Sequence, residues 1–175
     1  MTIRECELPD DAFLRRYHVD GGYTDCFVTT VPGHIPRARY VEAFYTTWLF
    51  KAERIVLALA GHTSSDADAA ALAREDAAAF SAWRVEDRNE DQLLMSDVSG
   101  RTRSWVGVAA SSGDEPSQTS LYFGSAIISA TSGREGPVSI GPVFRALTGF
   151  HTVYSKALLK ATRRSIVQPA RQVQA

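Results

Sequence analysis

The chain has 175 residues, 19 basic against 20 acidic side chains for a formal charge of -1, and 45% hydrophobic content. These values suit one globular domain and give no electrostatic reason to expect a nucleic acid or an acidic membrane surface as partner. Cys6 and Cys26 are the only cysteines, too few for a disulfide scaffold and far from any metal-binding spacing, so two free thiols in a reducing, cytoplasmic compartment are expected. The opening MTIRECELPDD lacks the apolar core of a signal peptide, and no stretch approaches about 18 uninterrupted apolar residues, so no membrane span is expected.

LPDDAFLRRY predicts a short helix opened by Pro9 and broken by the following glycines. YTDCFVTTV, residues 23–31, is aromatic and β-branched and ends at Pro32-Gly33, which predicts a strand and a turn. From Pro36 to Ala60, apolar side chains at Val41, Phe44, Trp48, Ala52, Ile55, Val56 and Leu59 keep helical spacing, and Gly61 supplies the stop. The alanine-rich segment that follows predicts a weaker helix over about residues 66–78, with a Ser or Asp cap.

FSAWRVED, QLLMSDVS, TRSWVGVAA and TSLYFGSAIIS then predict an antiparallel meander over residues 80–128. The connection SGREGPVSIGP leads into a final helix starting at Pro142, whose apolar face carries Val143, Leu147, Phe150, Tyr154, Ala157 and Ala161. Residues 1–165 read as one domain, and 166–175 as a tail that frays.

The succession LPDD, GGYTDCFVTTVP, LFKAERIVLALAG, AWRVEDRNEDQLLM, GRTRSW and FRALTGFHTVYSKAL resembles an uncharacterised family of the START-like, polyketide-cyclase-like (SRPBCC) superfamily, over about residues 8–160. The resemblance implies an α+β helix-grip fold, an antiparallel sheet curved around a long C-terminal helix, with a deep apolar cavity between them. It transfers no catalytic residue. The segments 111–118 and 129–142 are longer than so compact a meander needs.

Alternation along TRSWVGVAA puts Arg101, Arg103 and Trp105 on one face and Thr102, Ser104, Val106 and Val108 on the other. Unpaired cations are costly to bury, so the arginine face belongs outside. That makes Trp105 an exposed aromatic, a patch for a partner or a homo-oligomer. Consistent facing assigns Trp83, Val85, Leu94, Ser96, Val98, Leu121, Phe123, Ser125 and Ile127 to the inner side. Ser96, Thr102, Ser104 and Ser125 are small hydroxyl residues where a solid core would take Leu or Ile, so either the final helix approaches closely or a hydroxyl-lined space remains.

On the final helix His151 and Tyr154 are three apart and share a side. The expected ligand-binding set is therefore Trp83, Ser96, Thr102, Ser104, Ser125, His151 and Tyr154, holding a small apolar or amphipathic molecule. Asp25, a carboxylate inside a strand, reads as a hydrogen-bond partner to nearby backbone or an arginine. The alternatives are a cyclase, hydrolase or isomerase using His151 or Asp25 as base in the same cavity, and an interaction domain with a filled core. No histidine pair has metal-ligand spacing, and no Walker loop, dinucleotide fingerprint or nucleophile elbow is present, so neither metal nor cofactor is expected.

Overall fold

The computed structural model describes residues 2–18, 23–110, 118–128 and 142–168, with side chains in the last segment from 151 onward. Seven strands, β1 (Arg4–Glu5), β2 (Tyr23–Pro32), β3 (Ala79–Phe80), β4 (Trp83–Arg88), β5 (Gln92–Asp97), β6 (Thr102–Ala110) and β7 (Gln118–Ile127), form one antiparallel sheet in the order β1-β2-β7-β6-β5-β4-β3. The meander expected over the middle of the chain is present, and β2 extends it beyond β7. The helices among the described residues are α1 (Arg37–Tyr45), α2 (Trp48–Leu59), α3 (Asp66–Ala73), α4 (Pro142–Val167) and a 3₁₀ helix at Phe13–Tyr17. The architecture is α+β with a long C-terminal helix. The expected loops at 111–118 and 129–142 fall almost wholly outside the described residues, as does the tail from 169 onward.

The predicted single helix over 36–60 is two helices. α1 ends at Thr46, and the Thr47 hydroxyl accepts from the Phe50 N–H at 3.2 Å, capping a new helix. This break changes which side of α2 is buried. Phe50 is buried and Glu53 and Leu57 lie beside it on the inner side, while Trp48 is 73% and Leu59 87% exposed, with Ile55 and Val56 also outside. The α1 part of the expected apolar stripe, Val41 and Phe44, is in the core, whereas its continuation on α2 faces away from it. The stop at Gly61 is as expected: with a φ of 89°, Gly61 donates to the Ala58 carbonyl and His62 to the Leu57 carbonyl, the left-handed closure that glycine permits. α3 is shorter than predicted and opens with a reciprocal Ser65–Asp68 capping box. At the other end of the chain the expected fraying from 166 is corrected, because α4 continues to Val167 and Ile166 is buried in the core.

Both faces of the sheet are covered. On the inner face Phe27, Val31, Leu93, Met95, Val106, Leu121 and Phe123 pack with Tyr40, Phe44, Tyr45 and Phe50 from α1 and α2, Leu72 from α3, and Leu158 and Leu159 from α4. On the outer face Cys26, Leu94, Trp105 and Ala126 pack beneath Ala12 and Leu14 of the N-terminal segment. Cys6 and Cys26 meet there across β1 and β2, their sulfurs 3.4 Å apart. The Cys26 thiol beside it holds Cys6 below the ordinary thiol range, while the same contact and burial push Cys26 up. A stoichiometric dose of iodoacetamide is therefore expected to alkylate Cys6 first. Peptide mass spectrometry reads the order, and label on Cys26 ahead of Cys6 would contradict it.

The register corrects the facing of β5. Leu93 pairs with Val106 and Met95 with Ser104, whereas Leu94 pairs with Trp105 and Ser96 with Arg103. Leu93 and Met95 are therefore the inner residues, and Leu94 and Ser96 belong to the outer face. Arg101 and Arg103 do lie on the side away from α4: Arg101 is exposed, and Arg103 pairs with Glu86 over the Tyr17 ring. Trp105 shares their face but only 2% of it is exposed, because the N-terminal segment covers it. The expectation of an exposed Trp105 surface for a partner or homo-oligomer is thereby corrected.

Candidate functional site

Between α1, α2 and α4 and the inner face of the sheet, a cavity of about 320 Å³ remains. Its apolar walls are Phe44, Tyr45, Phe50, Leu57, Trp83, Phe123 and Leu158, and its polar lining includes Glu53, Thr102, Ser104, Ser125, His151 and Tyr154. Of the seven residues expected from the sequence, Trp83, Thr102, Ser104, Ser125, His151 and Tyr154 are brought together here. Ser96 is not, since its hydroxyl lies with the outer face and donates to the Asp97 carbonyl.

The first polar group is built on a cross-strand pair. Asp25 of β2 stands opposite Ser125 of β7, and both are buried. Asp25 Oδ1 accepts from the Ser125 amide at 2.9 Å and from the Ser125 hydroxyl at 2.7 Å, while Oδ2 accepts from the Tyr23 hydroxyl at 3.2 Å. His151 Nε2 lies 2.7 Å from Ser125 Oγ and 3.3 Å from Asp25 Oδ2. Because the single Ser125 proton goes to Asp25, the serine oxygen accepts from His151, which assigns a proton to Nε2. Serine and aspartate thus share one ring nitrogen. A nucleophilic triad needs them on opposite nitrogens, so this arrangement does not activate Ser125 as a nucleophile.

In the second polar group the Tyr154 hydroxyl donates to Glu53 Oε2. Burial pushes the Glu53 carboxyl above its ordinary range, against the opposing pull of the Tyr154 hydrogen bond and the His151 charge. Burial and the neighbouring carboxylate likewise push Tyr154 up, so that it remains a donor. Sequence reasoning missed Glu53. It stands among the lysine and arginine of LFKAERIVLAL and looks like one more charge on a solvated helix; only the restart at Thr47 turns it inward.

A raised carboxyl pKa has a definite consequence for stability. The folded chain binds the Glu53 proton more tightly than the unfolded chain, so stability falls as pH rises from the ordinary value of 4.5 through the raised one. Glu53→Gln cannot ionise and escapes this loss. It is expected to be more stable than the parent near pH 8 and indistinguishable from it near pH 4. Urea melts at both pH values check this, and an equal difference at the two would contradict it.

Among the described residues no group of three or more His, Cys, Asp or Glu side chains is placed to hold a metal ion, and no helix is long and apolar enough to cross a membrane. No protein-family model matches the chain, and no curated protein matches it.

Proposed function

We propose that this chain is a helix-grip protein of START-like kind, and that it binds a small, largely apolar molecule carrying a polar group. The observation that supports this reading is the cavity itself. At about 320 Å³ it is roughly twice the ~150 Å³ that suffices for benzene in an engineered protein cavity. Aromatic and aliphatic side chains make most of its wall, and a few polar groups line it, among them His151 and Tyr154 a helical turn apart on α4. Apolar walls would supply affinity, and the Glu53–Tyr154 and His151–Ser125 groups would orient the bound molecule.

Two measurements test the reading. Denaturing the purified protein and extracting it into organic solvent should release a small molecule that mass spectrometry detects. Ser104→Phe places a ring in the cavity and should abolish any ligand-induced rise in Tm while leaving the unliganded Tm almost unchanged, since open volume accepts the new side chain. Overpacking of a filled core would instead cost about 1–3 kcal/mol. That loss, with no ligand shift in the parent protein, would overturn the reading. Ser125→Leu is not an equivalent plug, because Ser125 is bonded to both Asp25 and His151.

A further inference from the structure

We infer that the cavity catalyses proton transfer at a carbon beside a carbonyl, with Glu53 as the base and His151 as the group that holds the carbonyl oxygen. The inference rests on the binding reading above and names its substrate class, an enolisable ketone with an apolar body.

Glu53 is the starting observation. A carboxyl among aromatic rings costs stability that a glutamine or methionine would not, and ionisable groups held in such clefts are concentrated at reactive sites. Phe50 and Leu57, one turn away on either side, line the same cavity, so Glu53 projects into it from the buried side of α2. Tyr154 fixes Oε2 and leaves Oε1 to meet a bound molecule. His151 precedes Tyr154 by one turn of α4 and lines the same space. Its Nε2 is committed to Ser125 and Asp25, so Nδ1 is the nitrogen that can meet a ligand. The step uses the ring with both nitrogens protonated, so that Nδ1 donates, and Asp25 Oδ2, 3.3 Å from Nε2, stands as its counter-charge. Asp25 and Tyr154 are positioning residues: neither transfers the proton, and each holds a group that acts.

The step balances without any further reagent. Glu53 Oε1 takes the α-hydrogen as a proton, the C–H pair forms the carbon–carbon double bond, and the carbonyl π pair moves onto oxygen, where the His151 Nδ1–H donates to it. Return of the proton to the same carbon gives exchange with solvent. Return to the γ-carbon of a β,γ-unsaturated ketone gives the conjugated isomer. Nothing is oxidised or reduced.

The test uses the whole chain with β-tetralone and isophorone, two enolisable cyclic ketones, in deuterated buffer. Binding is read from ligand-induced Tm shifts, and exchange at the α-carbon from loss of the proton NMR signal. The expected result is binding of at least one ketone, and exchange at least about a hundredfold faster than in buffer with an equal concentration of acetate. Glu53→Gln should bind that ketone within about twofold and lose the exchange, while Glu53→Asp, which keeps a carboxylate, should retain part of it. Binding without accelerated exchange overturns this inference and leaves the binding reading standing. Exchange that survives in Glu53→Gln also overturns it, and failure of both ketones to bind counts against both.

Discussion

Trp105→Ala is expected to destabilise the chain by about 3–5 kcal/mol, the range for truncating a large, fully packed aromatic. The indole lies flat along the outer face, and two glycines make room for it. A Cβ at Gly107 would stand 2.7 Å from the Trp105 ring, and one at Gly124, the residue paired with Trp105 on β7, 3.3 Å from it. Tyr122 packs at the side of the indole, with ring centroids 6.1 Å apart. The indole N–H donates to Gln92 Oε1 at 2.9 Å, and that same oxygen accepts from the Phe13 amide while Gln92 Nε2 donates to the Asp11 carbonyl. Removing the ring opens a cavity over two glycines that cannot fill it, and removes one partner of the glutamine that ties the N-terminal segment to the sheet. Denaturant unfolding measures the effect. A loss below about 0.5 kcal/mol is what an exposed side chain would give, and would mean that this face is uncovered in solution.

The alternation of β6 is legible in the sequence, and so is the side on which Trp105 lies. Its burial is not, because the segment that covers it is nearly the whole of the preceding chain away. A signal was nonetheless present, since glycines inside strands at Gly107 and Gly124 mark places where something approaches the backbone closely. The phase of β5 fails for a related reason. Gln92, Leu93, Leu94 and Met95 are all buried, and a strand covered on both faces has no alternation to read. The α4 residues of the site follow from helical spacing alone, whereas Glu53 depends on a two-residue break between helices that a continuous apolar period conceals. Periodicity therefore places a residue where the element is unbroken and its two faces differ in composition, and loses it where both faces are apolar or a break resets the phase.

Asp25→Ala is expected to cost about 1–3 kcal/mol, because it leaves the buried Ser125 amide without its acceptor at the centre of the sheet. The Ser125 hydroxyl and His151 Nε2 lose the same carboxylate, so the loss should not be independent of theirs. In a double-mutant cycle with Ser125→Ala, coupling of about 0.5–3 kcal/mol is expected, as for residues sharing one hydrogen-bond network. Asp25→Asn separates the two halves of that network. Its amide oxygen can still accept from the Ser125 amide and hydroxyl, but its NH₂ group then faces the proton on His151 Nε2, donor against donor. The asparagine variant should therefore keep most of the strand-pairing stability that alanine loses, while its His151 ring resonances shift as far as they do in Asp25→Ala. Urea unfolding and NMR of the three proteins measure the two effects separately. An asparagine variant as unstable as alanine, or one with histidine resonances unchanged from the parent, would mean that Asp25 does not hold Ser125 and His151 in the way the distances describe.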